Sequence, residues 1–249
     1  MKKLFLAVCL LPAIVVAQNT GKVTYEEKIK LIIKLDDTDA KLPEGFPKEH
    51  SSLKELYFTP DASLYRNSSI KKSSANAEHD ADDAPRMIIK MDEPNDVVYS
   101  DLKNNLRTEQ RDLMSRTFLI ESELSRMQWK LTGNQKMILN YPCQEAVLQD
   151  TGKKVIVWFT SAIPVSTGPN GYSNLPGLIL SAYIDDGKRS ITATNVELNE
   201  FDKSILVKPK EGKKVTKEAF NKMVDEKRKE MMEENGGNGN GNVIIKVRH

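Results

Sequence analysis

Cysteine and histidine are nearly absent from this chain, with two and three copies in 249 residues. Cys9 and Cys143 are the cysteines, and Cys9 falls in a stretch read below as a removable leader, so no internal disulfide is expected of the mature chain. The histidines, His50, His79 and His249, have no ligand spacing to one another or to Cys143. A zinc-type centre and a Ser-His-Asp arrangement are therefore unsupported. There is no GxSxG elbow and no glycine loop that could cradle a phosphate. No catalytic residue, no metal and no cofactor is expected, and the chain reads as a non-enzyme.

Two further scarcities narrow the class. No excess of one charge exists: with Lys2 and Lys3 lost in the leader, 37 basic residues fall to 35, against 35 acidic ones. A nucleic-acid partner would ordinarily require a basic surplus to neutralise phosphates, so none is expected. Only one long apolar run occurs, Leu4 to Val16, which is too short to cross a bilayer. It follows a basic end at Lys2 and Lys3, and small residues at Val15 and Ala17 precede Gln18. This is the pattern of a secretory signal peptide over 1–17, and it predicts an exported protein, periplasmic or associated with the outer membrane, with no transmembrane segment in its mature part. Cys9, preceded by Val8, is a poor lipidation site.

What the sequence has in abundance is strand signal. In 21–35, GKVTYEEKIKLIIKL, the odd positions carry Val23, Tyr25, Glu27, Ile29, Leu31, Ile33 and Leu35, and the even positions are mostly lysine and glutamate. Alternation with period two predicts a half-buried antiparallel strand. Shorter candidates follow at 54–59, 62–67, 86–91, 96–101, 104–111, 115–121, 127–132, 143–149, 153–160, 178–185 and 188–199. Turn signals at Gly133-Asn134, Asp150-Thr151-Gly152 and Asp185-Asp186-Gly187 separate several of them. The spacing predicts a mainly β fold: an antiparallel meander or curved half-barrel sheet in one domain over 18–249. Two polar stretches, 36–52 and 71–85, read as surface loops. Glu78-His79-Asp80 with Asp82 and Asp83 in the second lacks the regular spacing of a calcium loop and reads as a solvated acidic run.

One helix is expected over 216–235. Ala219, Phe220, Met223 and Val224 form one stripe, Thr216 is a natural N-cap, and Gly236-Gly237 ends it. Such a stripe packs on a sheet or serves a partner. Residues 236–242 form a glycine and asparagine linker, and 243–249 read as a last strand at a sheet edge. Cys143 opens the strand-like run CQEAVLQD with no cationic neighbour in sequence, so a buried thiol is expected there.

The densest cluster of turn-formers lies in 158–183, WFTSAIPVSTGPNGYSNLPGLILSAY. Prolines fix φ and glycines permit positive φ, so Pro164, Gly168, Pro169, Gly171, Pro176 and Gly177 together define a compact loop. Leu175-Pro176-Gly177-Leu178 has the residues of a type II β-turn leading into a buried strand. Trp158, Pro164, Gly168, Pro169, Leu175, Pro176, Gly177 and Leu178 are the candidate site residues, as a ligand-facing loop or as a turn that fixes strand register.

This run resembles the signature of the GLPGLI family, exported proteins mostly of Bacteroidetes. Other elements resemble the family in the same order: Val23-Thr24-Tyr25, Trp129-Lys130-Leu131-Thr132, Tyr141-Pro142-Cys143-Gln144-Glu145-Ala146, and Trp158-Phe159-Thr160 with Ile163-Pro164 and Gly168-Pro169. Asn174, Asn140 and Glu145 depart from its pattern, and Asn174 keeps the turn feasible because asparagine tolerates left-handed φ. The resemblance implies an exported β-rich protein and supplies no catalytic residue. Two function classes follow. One is a binding or carrier module holding an apolar or lipid-like ligand on a concave sheet face, lined by residues such as Trp158, Tyr183 and Ile29. The other is an envelope scaffold acting on a partner protein through the helix or an edge strand.

Overall fold

A computed structural model describes residues 19–35, 48–70, 93–149, 152, 154–234 and 244–247. The strands are β1 (Gly21–Lys30), β2 (Ile32–Leu35), β3 (Glu49–Phe58), β4 (Ala62–Asn67), β5 (Val97–Asp101), β6 (Leu106–Leu113) and β7 (Arg116–Glu123). They continue with β8 (Trp129–Ile138), β9 (Tyr141–Leu148), β10 (Val155–Thr160), β11 (Leu178–Ile184), β12 (Arg189–Glu197), β13 (Lys213–Val215) and β14 (Ile244–Val247). One α-helix, α1 (Lys217–Glu234), occurs among the described residues.

Twelve strands form one open, mostly antiparallel sheet in the order β13-β7-β6-β5-β4-β3-β1-β12-β11-β10-β9-β8. It consists of two meanders, β3 to β7 and β8 to β12, that meet on either side of β1. The period-two reading of β1 holds: Val23, Tyr25 and Glu27 are buried, and Lys22, Thr24 and Glu26 are half-buried on the other face. β13 is the exception in direction, pairing parallel with β7.

The sheet is strongly curled. Arg107 on β6 bonds the carbonyl of Gly171, and Trp129 on β8 bonds the carbonyl of Ser173, two residues further on. β6 and β8 stand nine strand spacings apart in the sheet order, about 43 Å if it were flat. Two residues of chain reach about 7 Å. One face of both meanders therefore wraps around the 161–177 connection. Helix α1 shows the same closure: Phe220 packs on Phe118 of β7 with ring centroids 5.6 Å apart, while Val224, one turn later, lines a cleft with Val155 and Ile184 of β10 and β11.

Several sequence expectations need correction. Gly133-Asn134 makes no turn, because β8 runs through it; the irregularity is absorbed as a register shift between Leu131 and Gln135, with Gly133 at φ +86. The hairpin turns instead at Leu139-Asn140, both at positive φ. Asp185-Asp186-Gly187 does turn, with all three residues at positive φ. The loop expected at 36–52 gives way at Glu49 to β3, whose Lys54, Leu56 and Phe58 join the buried set. Residues 36–47, the 71–85 loop with its acidic run, the 86–91 strand candidate and 236–242 lie outside the described residues. β14 pairs parallel with β2 in a separate two-stranded sheet. The helix begins as expected, with the Thr216 hydroxyl accepting from the Ala219 amide at 3.1 Å, but Ala219 itself is exposed.

Candidate functional site

The connection from β10 to β11, residues 161–177, is the stopper of the concave face. Its chain runs through two γ-turns, with the Val165 amide donating to Ile163 and the Thr167 amide to Val165 at 2.8 Å each, and it alternates: Ile163, Val165 and Thr167 are buried, and Pro164 and Ser166 are exposed. The return leg repeats this, with Ser173, Leu175 and Gly177 buried and Asn174 and Pro176 exposed. The two legs are fastened by Leu178 and Ile179 amides donating to the Ile163 and Thr167 carbonyls, each at 3.0 Å, and by the Asn174 amide donating to the Ser166 hydroxyl at 2.9 Å. Outward ties run to both meanders. Thr167 donates to Ser63 of β4 at 2.8 Å, Arg111 of β6 donates to the Asn170 side chain at 3.2 Å, and Trp129 of β8 donates to Ser173 at 2.8 Å.

The expected type II turn is not formed. The Gly177 amide donates to the Leu175 carbonyl at 2.8 Å, a three-residue γ-turn centred on Pro176. The Leu178 amide that a type II turn would use goes to Ile163 instead. Gly177 is required for a different reason: a β-carbon there would lie 2.1 Å from the Thr160 carbonyl oxygen. Gly168 is required likewise, since its β-carbon would lie 2.6 Å from that of Ile179. Gly168, Pro169, Leu175, Gly177 and Leu178 are thus all in the core, and Pro164 and Pro176 face solvent.

Trp158 stands elsewhere. Register pairs it with Ser181, and Ile156 with Tyr183, on the face opposite Val155, Val157, Ala182 and Ile184. There Lys136 lies over both rings, 4.2 Å from the Trp158 centroid and 5.2 Å from that of Tyr183. Of the residues expected to line a concave ligand face, Trp158 and Tyr183 are therefore on the convex side, and Ile29 shares the concave side with Val23 and Tyr25. Cys143 is 1% exposed, and burial pushes its thiol up to about 11, so it is not a nucleophile near neutral pH.

A cleft opens between α1 and the concave face. Its volume is about 710 Å³, with Leu148, Val155 and Ile184 from the sheet as its floor. Val224 and Arg228 of the helix form its roof, and Tyr172 of the connection closes one side, with its ring edge-on to Trp129. An apolar floor with a few polar groups at the rim is the composition of a small-molecule site.

Beside this cleft the concave face turns charged. Glu27, buried on β1, holds Arg189 of β12 by a close ion pair and Lys54 of β3 at 3.6 Å. On β6, Glu109 holds Arg111 at 2.6 Å and Lys217 of α1 at 3.3 Å, and Arg111 reaches Asp96 at 3.0 Å. Burial acts to raise the Glu109 carboxyl, and the Arg111 and Lys217 charges outweigh it and hold the group below its ordinary range. The Tyr65 phenol stands among these charges; burial, reinforced by Glu27, pushes it well up. Motif reading missed this belt. Its signal is present in the sequence: Glu27 interrupts the apolar face of β1, and Arg107, Glu109 and Arg111 occupy alternate positions of one strand.

Comparison with known proteins adds little beyond the fold. Residues 148–181 match a family described as a protein of unknown function (Porph_ging). No curated protein matches the chain. A solved structure of PNGF-II in a C2 space group matches 84% of this chain at 19% identity with a TM-score of 0.51. The same protein in a P21 space group gives 19% identity and a TM-score of 0.50. This chain spans 33% of the length of the first and 34% of the second. At that identity the likeness is one of fold. A crystal structure of MucB in complex with MucA(peri) matches at 12% identity with a TM-score of 0.26, too low for a shared fold to follow.

Proposed function

We propose that this chain is an exported, GLPGLI-type binding module without enzymatic activity, which holds an apolar or lipid-like ligand between α1 and the concave face of the sheet. The observation that carries this reading is the cleft over Leu148, Val155 and Ile184, whose volume of about 710 Å³ falls in the range of small-molecule sites, about 300–1,000 Å³. The ordered series of motifs from Val23 to Leu178 supports the family. The basic, apolar and small-residue segments of 1–17 support export to the periplasm or outer membrane. The non-enzymatic part of the reading rests on the sequence alone, whose three histidines have neither ligand nor triad spacing.

Native mass spectrometry of protein purified from its own host without detergent tests the reading. A carrier arrives with an adduct that denaturation releases into an organic extract. A spectrum containing the bare chain mass alone, in protein whose helix is folded, counts against it.

The scaffold reading has one observation in its favour. β8 is an edge strand, and it exposes Leu131 and Met137 at 54% and 63%. Replacing both with threonine leaves ligand retention intact under the carrier reading and abolishes partner capture under the scaffold reading.

A further inference from the structure

Arg107 is the one cation of the concave belt for which no carboxylate stands within ion-pair distance among the described residues. Its side chain is buried, with 4% of the residue exposed. Among the described residues its hydrogen bond runs from Nη2 to the Gly171 carbonyl, and its Nε–H has no partner there. Glu109, two residues away on the same face, is already engaged by Arg111 and Lys217. Directly across the ladder from Arg107 stands Ser122, whose buried hydroxyl also lacks a partner. The neighbouring register row, Tyr65-Val98-Glu109, carries a third unpartnered donor on the same face, the buried Tyr65 hydroxyl.

A buried guanidinium without a counter-charge costs several kcal/mol, and buried donors without acceptors add to that cost. Three such donors on one face, one of them carrying a full positive charge, are what an oxyanion satisfies. A carboxylate or phosphate oxygen accepts from a guanidinium fork and from hydroxyls together. The neighbourhood remains positive even after its internal pairs are counted: among the described residues Arg107, Arg111, Lys217, Arg189 and Lys54 stand against Glu109, Asp96, Glu27 and Glu93. Arg107, Ser122 and Tyr65 do not themselves line the cleft; the chain links them to it, since Gly171, whose carbonyl Arg107 holds, is followed by Tyr172 of the cleft wall.

We infer that Arg107 and Ser122, with Tyr65, form an oxyanion-recognition site, and that the ligand of the cleft is an anionic amphiphile whose carboxylate or phosphate head lies against Arg107. The choice of an amphiphile rests on the carrier reading; the oxyanion site does not. The Arg107 charge and the donors around it hold the head, and the apolar floor of Leu148, Val155 and Ile184 takes the chain.

Calorimetric titration with four probes separates the two ideas: decanoate, decyl phosphate, decanol and inorganic phosphate. Decanoate or decyl phosphate binds the wild type at least about tenfold more tightly than decanol, and Arg107→Met removes that advantage while leaving decanol binding unchanged. Ser122→Ala, which deletes a hydroxyl without a partner among the described residues, weakens the same probes several-fold. It decides the matter together with Arg107→Lys if the Met variant does not fold. Equal affinity for decanol and the charged probes overturns the oxyanion site and leaves the carrier standing. Inorganic phosphate binding that depends on Arg107, without binding of any chain probe, keeps the site and sinks the carrier. Oxyanion binding indifferent to both Arg107→Lys and Ser122→Ala overturns the assignment to these residues.

Discussion

The Tyr25 phenol donates a 2.7 Å hydrogen bond to the carbonyl of Ile179, joining residues 154 apart in sequence. Tyr25 is on β1, the central strand where the two meanders meet, and Ile179 is the last residue of the NLPGLI hexapeptide. Both are fully buried. The bond fastens the start of the domain to the exit of the stopper. It also explains why an apolar strand face carries a tyrosine rather than a phenylalanine: near Ile179 the β10–β11 ladder shifts register, and the phenol supplies a donor there.

Tyr25→Phe keeps the ring and its edge-on contact with Tyr65 and removes only the donor. A buried carbonyl left without it costs about 1–3 kcal/mol. Thermal or urea unfolding should show a loss in that range. An unchanged midpoint would mean that water or a backbone amide replaces the phenol.

Gly177→Ala tests the packing at the other end of the hexapeptide. The added methyl would meet the Thr160 carbonyl oxygen at 2.1 Å, and its three nearest neighbours are all backbone atoms of Thr160 and Ser161, so the β10–β11 crossing must open. Overpacking of this kind costs about 1–3 kcal/mol and occasionally more, and valine should be worse than alanine. A ligand-facing loop would behave otherwise, with binding impaired and the melting midpoint held. Melting curves of the two variants separate these outcomes.

The sheet was legible because its signal is local. Period-two alternation in 21–30, and the Asp185-Asp186-Gly187 turn before Arg189, depend on residues within a few positions of one another. The γ-turn at Pro176 was not legible. Pro-Gly suits a type II turn, and what diverts the Leu178 amide is the Ile163 carbonyl, fifteen residues away in sequence and adjacent only after folding. Trp158 illustrates the same boundary. Alternation places it opposite Val157, but which face is concave depends on the curl of twelve strands, and a single segment carries no record of that curl. The charged belt was readable in part, since a glutamate at an inward position of β1 demands a buried partner, though not which arginine provides it.

Acid should attack the fold through Glu109. Its carboxyl is held below its ordinary value in the native state, so its contribution is present above the unfolded value, about 4.3, and disappears as pH falls through the native one. Stability of the wild type should therefore drop steeply below about pH 4. Glu109→Gln breaks a buried pair to Arg111 and Lys217, with a loss approaching about 3–5 kcal/mol at pH 7 and a flatter acid limb. Superimposable profiles of the two proteins between pH 3 and pH 7 would remove Glu109 from the account.

Helix α1 is held to the β7 side of the sheet by the Phe118–Phe220 contact and by the Lys217–Glu109 ion pair. Beyond Phe220 its inward side chains, Val224 and Arg228, roof the cleft instead of packing into it. The helix is therefore anchored at its first turns and bridges the cleft after them, and a helix of this length depends on such packing for its stability. Phe220→Ala removes the aromatic anchor at a cost of about 1–3 kcal/mol, less than a fully buried ring because the side chain is half-exposed. The loss should be local: amides of 220–234 exchange hydrogen faster, while those of β1 and β11 keep their protection. Under the carrier reading the same variant loses its ligand, since the roof of the cleft goes with the helix. Uniform loss of protection across helix and sheet would show that α1 is an integral part of the core, not a roof docked onto it.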